Sequence, residues 1–176
     1  MHFSNLAIPM RAQPFHFGHE RYIKRLSLIC DRGVIFLNRK IDKNNPFPVS
    51  LRQKWIENFL AKENVSNIIV AERTILSSDT SRLDEYKNFF HSDASIVIVT
   101  TYETDEMYKK MGFKTFNHHD KNFHLWDSSE ENFFSNHLDG YGRIIRNNFI
   151  EGKSCIGLIS KEIESEAKHF LKSNPL

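Results

Sequence analysis

The sequence predicts an α/β fold, a parallel sheet flanked by helices on both faces. Three observations carry this expectation: near-continuous apolar runs, helix-period stretches between them, and an even spacing. The runs occupy residues 5–10, 34–39, 67–72 and 95–102. Runs rich in β-branched residues and lacking strict alternation suit strands covered on both faces. Their starts lie 29, 33 and 28 residues apart, which fits one strand and one crossover helix per interval. Repeated in series with right-handed crossovers, such units build a parallel sheet between helices.

Between the first two runs, Tyr22, Ile23, Leu26 and Ile29 share one side of a predicted helix over 18–30. Leu51, Trp55, Ile56, Phe59 and Leu60 do the same over 50–62, with Trp55 and Phe59 read as core. The third connection is less regular, and Leu83, Tyr86, Phe89 and Phe90 indicate a short helix after a polar loop over 77–81. A helix over 104–111 stops at Gly112, and residues 113–116 read as a fifth strand. Residues 117–139 are polar and aromatic at once. His118, His119 and His124 read there as solvated loop residues, and Trp126, Phe133 and Phe134 as packing the loop onto the body. A stretch of that length without period is usually functional or mobile. Helices over 143–151 and 160–172 follow, the second burying Ile163, Ala167, Phe170 and Leu171. No Pro/Gly/Ser linker divides the chain, so residues 1–176 are expected to form a single domain.

Lys and Arg number 24 against 22 Asp and Glu, and this balance lacks the basic excess of a dedicated nucleic-acid binder. A composition of 40% hydrophobic and 26% charged residues excludes disordered and fibrous classes. Cys30 and Cys155 cannot form a disulfide framework and read as free thiols, with Cys155 and Ile156 as packing residues. The longest purely apolar runs, such as 34–37 and 96–99, fall far short of the ~20 residues that span a bilayer. Polar residues return at Arg11 and Gln13 before any signal-peptide pattern develops, so a cytoplasmic protein is expected.

The chemistry concentrates where the first strand meets the first helix, in Arg11-Ala-Gln-Pro-Phe-His16-Phe-Gly18-His19. Ligands of open α/β sheets bind outside the carboxyl ends of the strands. Pro14 stiffens this loop, and Gly18 lets backbone approach whatever sits at the helix start, where exposed N–H groups favour an anion. His16 and His19, three residues apart, can flank that anion and donate to phosphate oxygens, an electrostatic arrangement without a covalent nucleophile. A single histidine here would read as a cap or packing residue; the full string does not. Neither G-x-G-x-x-G nor G-x-x-x-x-G-K-[ST] is present, so the phosphate has to be held another way.

His16-Phe-Gly18-His19 matches the H-x-G-H signature of the nucleotidyltransferase superfamily, and the whole string from Arg11 resembles the archaeal-type nicotinamide-nucleotide adenylyltransferases. Asn45-Pro46-Phe47, with Arg52 five residues after Phe47, is similar to that family's N-P-F-x-x-x-x-R segment. Read from the residues, Ser50 caps the following helix and places Arg52 in its first turn. The family's third element, S-[GS]-T-x-[IV]-R, aligns with residues 141–146. Gly142 and Arg146 keep the pattern, while Tyr141 stands where it has serine and Arg143 where it has threonine. The resemblance covers residues 5 to about 171 in element order. It implies a Rossmann-like sheet of nucleotidyltransferase type.

The resemblance further implies adenylyl transfer from ATP to a mononucleotide, with release of pyrophosphate. His16, His19, Arg52 and Arg146 would be catalytic, and Arg11, Gln13, Phe15, Gly18, Asn45, Gly142 and Arg143 would bind the nucleotide. Mg²⁺ would bridge phosphate oxygens with few protein carboxylates, and no metal site built from protein ligands is expected. Zinc would need ligands beyond His16 and His19, and the cysteines show no paired pattern. Expected partners are a small-molecule mononucleotide and, at most, further copies of this chain, with neither nucleic acid nor membrane. Two other readings stand beside this one: a related enzyme using another phosphorylated acceptor or CTP, and a non-catalytic nucleotide-binding regulator.

Overall fold

The structure, a computed structural model, describes residues 1–38, 41–71, 95–118 and 141–174. Five strands form one sheet: β1 (Phe3–Met10), β2 (Cys30–Leu37), β3 (Ile68–Val70), β4 (Ile96–Thr100) and β5 (Lys114–Asn117). Their order is β3-β2-β1-β4-β5, with every pair parallel. β1 is central, running alongside β2 from Phe3 opposite Cys30 to Met10 opposite Leu37, and alongside β4 from Asn5 opposite Ile96. Five helices are described: α1 (Phe17–Ser27), α2 (Val49–Lys62), α3 (Tyr102–Lys110), α4 over 141–150, and α5 (Lys161–Ser173).

Period-two alternation in β1 sends Leu6, Ile8 and Met10 to one face and Ala7 to the other. The first set joins Tyr22, Ile23 and Leu26 of α1, Trp55, Ile56 and Phe59 of α2, Ile145 of α4, and Ile163 and Ala167 of α5 in one core. Ala7 joins Phe36, Ile98 and Tyr108 of α3 in a second core on the opposite face. Helices therefore cover both faces. The first two crossovers build outward from β1 in one direction and β4-α3-β5 builds in the other, so connectivity reverses between β1 and β4. Crevices at such a reversal are where open α/β sheets take ligands.

Several boundaries differ from the sequence expectation for local reasons. α1 ends at Ser27 because β2 already begins at Cys30, where exposed Asp31 and Arg32 conceal the strand's start in the sequence. The residue before α2 is Pro48 and its side chain makes no capping bond, so Ser50 lies inside the first turn instead of capping it. Ser160 does cap α5, accepting from the Ile163 amide at 3.3 Å. Trp55 and Phe59 are buried as expected, and both cysteines are buried free thiols. Ile156 is an exposed side chain and not a packing residue. His118 is likewise no solvated loop residue. It is buried, with Nδ1 3.4 Å from the Tyr22 hydroxyl and its ring edge-on to that tyrosine at 5.0 Å. The helix expected around 83–90 and the readings of His119, His124, Trp126, Phe133 and Phe134 lie outside the described residues.

Candidate active site

The loop after β1 is pinned from several directions. Ala12 is buried with φ +47°, a region uncommon for residues with a Cβ. Such a conformation persists where its surroundings over-determine it, and the peptide units before Ala12 and after Gln13 are held. Arg52 donates from Nη1 to the Arg11 carbonyl at 2.7 Å, and Arg146 donates from Nη1 to the Gln13 carbonyl. The Gln13 carboxamide then pairs with a backbone unit as another peptide would. Its Nε2 donates to the Phe47 carbonyl and its Oε1 accepts from the Phe47 amide, both at 3.0 Å. Phe47 is buried among Trp55, Phe149 and Phe170, so the second loop is anchored in the core and the first is tied to it.

His16 precedes α1 as its N-cap, and His19 occupies the third helical position. Each ring accepts from the other's backbone: the His19 amide donates to His16 Nδ1 at 3.4 Å, and the His16 amide donates to His19 Nδ1 at 3.3 Å. An Nδ1 that accepts cannot carry the ring proton, so both neutral rings hold it on Nε2. The rings stack at 3.7 Å, inclined by 29°. Phe15 covers the outer face of His19 at 5.6 Å, and Tyr141 stands 5.6 Å from His16. A Cβ on Gly18 would lie 3.0 Å from His16 Cε1 and Nδ1, so the missing side chain makes room for that edge of the ring. With faces covered and the Nδ1 edges spoken for, each imidazole offers its Nε2 edge as a fixed hydrogen-bond donor.

Around these edges the field is positive. Burial lowers the Arg146 pKa, Arg11 and Arg143 push it the same way, and Asp42 opposes them. Burial, reinforced by Arg146 and opposed by a bond to its own backbone, lowers the His16 pKa to about 3. Burial and then the nearby His16 hold His19 well below its ordinary range. Both rings are neutral at pH 7, so the cationic charge comes from the arginines. Guanidiniums gathered this closely suit an anion.

The His16 shift has a consequence for stability. Between pH 6.5 and about 3 the unfolded chain binds this proton more readily than the folded one, so stability falls as pH drops through that window. The slope from His16 alone reaches about 1.4 kcal/mol per pH unit, and His19 acts with the same sign. The variant His16→Asn keeps a capping acceptor, so its stability in denaturant melts should fall less steeply across this range. An unchanged slope would mean that the folded protein protonates His16 freely.

The residues singled out in the sequence divide into two groups. His16, His19, Arg11, Arg143 and Arg146 gather at the carboxyl end of β1. Gln13, Phe15, Gly18, Asn45, Arg52 and Gly142 build the frame behind them. Arg52 has no exposed surface, and its Nε, Nη1 and Nη2 donate to the carbonyls of Phe47, Arg11 and Asn38 at 2.9, 2.7 and 2.6 Å. In this arrangement it braces two loops from a position without exposed surface, in contrast to the catalytic role that the resemblance implies. Phe15 is fully buried, also packing on Phe59. Asn45 is buried, donating from Nδ2 to Asp42 Oδ1 at 2.9 Å. A Cβ on Gly142 would lie 3.2 Å from the Gln13 carbonyl, so this glycine lets α4 approach the first loop. Asp42 is not singled out by the sequence, and Tyr141 is noted there only as standing where the family has serine; its place against the His16 ring is seen in the structure. Among the described residues, no three His, Cys, Asp or Glu side chains gather as a metal site, and no helix is long and apolar enough to cross a membrane.

A family model described as cytidylyltransferase-like matches residues 11–155. No curated protein sequence matches significantly. Among solved structures, one similar fold is a proposed nicotinate-nucleotide adenylyltransferase from Vibrio parahaemolyticus, at 17% identity and TM-score 0.57, covering 93% of this chain and 98% of that one. Another is a bifunctional NMN adenylyltransferase/ADP ribose pyrophosphatase from Francisella tularensis, at 17% identity and TM-score 0.65. That match covers 99% of this chain and 51% of the Francisella protein, so the present chain spans about half its length.

Proposed function

The chain belongs to the cytidylyltransferase-like family, and on that premise we propose that it is an adenylyltransferase joining nicotinamide mononucleotide to the AMP portion of ATP. The observation that carries this reading is the pair of neutral imidazoles set among Arg11, Arg143 and Arg146 beside the β1/β4 reversal. The acceptor's 5′-phosphate oxygen attacks the α-phosphorus in line. The bond to the bridging oxygen breaks, and pyrophosphate leaves with its electron pair. Such transfers need positioning and charge stabilisation more than covalent help. The Nε2–H donors of His16 and His19 meet the α-phosphate, while the three arginines hold the remaining phosphates. Mg²⁺ bound to the ATP phosphates would supply further charge neutralisation beside these arginines. The choice of acceptor is supported by the two named structural relatives and by the sequence resemblance.

Incubation with ATP, Mg²⁺ and nicotinamide mononucleotide, or its acid form, should release pyrophosphate and dinucleotide in equal amounts. Parallel reactions with CTP and with other phosphorylated acceptors identify the donor and acceptor. The replacement of serine and threonine by Tyr141 and Arg143 favours a second reading, a nucleotide-binding regulator. Thermal stabilisation by ATP without pyrophosphate release from any acceptor would establish it and overturn the enzymatic one.

A further inference from the structure

We propose that Tyr141 is a positioning residue whose ring closes the column that holds the His16 imidazole. This inference rests on the adenylyltransferase reading for its kinetic consequence and on the geometry alone for the contact itself.

Four rings follow one another at the carboxyl end of β1. Phe15 and His19 are nearly parallel at 5.6 Å and 10°, His19 and His16 stack at 3.7 Å, and His16 meets Tyr141 at 5.6 Å and 59°. The inner end is anchored in the core, since Phe15 has no exposed surface and packs against Phe59 at 5.5 Å. The first three rings come from one short stretch, residues 15–19, and only Tyr141 is delivered by another element, α4. Two contacts fix where α4 delivers it. A Cβ on Gly142 would lie 3.2 Å from the Gln13 carbonyl and 3.3 Å from Arg146 Nη1, so the helix lies close against the loop. Tyr141 Cδ2 stands 3.6 Å from the position of a Cβ on Gly18, which puts the tyrosine ring against the same glycine that accommodates His16. A tilted arrangement of two rings is a favourable one. Without the Tyr141 ring, His16 would keep its Nδ1 bond but lose the wall that limits its tilt. Charged or titratable groups acting on this pair include His19 and Arg146 at His16 and Arg21 at Tyr141.

The full chain is compared with Tyr141→Ala, Tyr141→Ser and Tyr141→Phe. Misplacing a catalytic group by a fraction of a side chain costs up to about 100-fold in rate. The alanine and serine variants should therefore lose about 10- to 100-fold in kcat with little change in the KM for ATP. The phenylalanine variant should rescue most of that loss. Equal damage from phenylalanine and alanine, or full turnover with serine, would overturn the proposal. NMR titration of the His16 ring supplies a readout that needs no turnover. Opening the column admits water, so in Tyr141→Ala the ring should titrate closer to its ordinary range, while Tyr141→Phe matches the parent. A His16 titration unmoved by alanine would also overturn it. If the protein transfers no nucleotide yet His16 titration still moves in Tyr141→Ala, the ring contact stands and the adenylyltransferase reading falls. Should Tyr141→Ala fail to fold, Tyr141→Leu takes its place in both measurements, with the same outcomes.

Discussion

Replacing His19 with alanine lowers turnover by two orders of magnitude or more while the fold stays intact. The expectation follows from the donor geometry. His19 Nδ1 accepts from the His16 amide, which leaves Nε2–H as a fixed donor whose orientation needs no rearrangement during the reaction. Removing one such preorganised donor typically costs ~2.7–4 kcal/mol of transition-state stabilisation. The same substitution removes an acceptor from the start of α1, and losing a cap costs about 0.5–2 kcal/mol of stability. That is a tolerable fraction of the ~5–15 kcal/mol typical of a folded domain. Pyrophosphate release should collapse while the circular-dichroism melt moves by a few degrees. Turnover within a few-fold of the parent would remove His19 from the chemistry and weaken the functional assignment with it.

Arg52→Met should produce the largest loss of stability of any single change at the site. Its guanidinium is buried and donates to the carbonyls of Arg11, Asn38 and Phe47. Burial lowers its pKa to about 10, so it is still charged at neutral pH. A methionine fills much of the volume but leaves the part-buried Arg11 and Asn38 carbonyls without this donor, each costing ~1–3 kcal/mol, while the Phe47 carbonyl keeps its bond from Gln13 Nε2. At ~2–4 °C per kcal/mol for a chain of this length, the melting temperature should fall by roughly 5–20 °C. Arg52→Lys keeps the charge, but one ammonium cannot serve three diverging carbonyls, so an intermediate loss is expected. A normal melt combined with a raised KM for ATP would show instead that Arg52 reaches the nucleotide directly.

The sequence disclosed the layered fold because apolar periodicity survives translation into packing. Tyr22, Ile23 and Leu26 face the sheet as their spacing requires, and Ile163 and Ala167 do the same on α5. The H-x-G-H turn was equally plain, since few strand-to-helix turns combine two imidazoles with a glycine. What stayed hidden depends on contacts between distant segments. Arg52 looks from its helical position like an outward-reaching cation, and only the arrival of the Arg11 and Asn38 carbonyls turns it inward. His118 sits in a polar, aromatic stretch, and nothing local reveals that Tyr22 waits for it 96 residues upstream. Gln13 reads as a ligand-binding amide until Phe47 is seen to occupy both of its polar atoms.

β1 lies at the centre of the sheet, and its two neighbours reach it by very different routes along the polypeptide. β2 follows within a single short crossover, whereas the link from Asn5 to Ser95 beside β4 spans 90 residues and that from Arg146 to Gln13 spans 133. Contacts between remote segments slow folding, and during synthesis the amino-terminal portion emerges first. A growing chain can therefore align β1 with β2 and form the histidine turn well before Arg146 leaves the ribosome. The cationic rim is completed only then, when segments 133 residues apart have met.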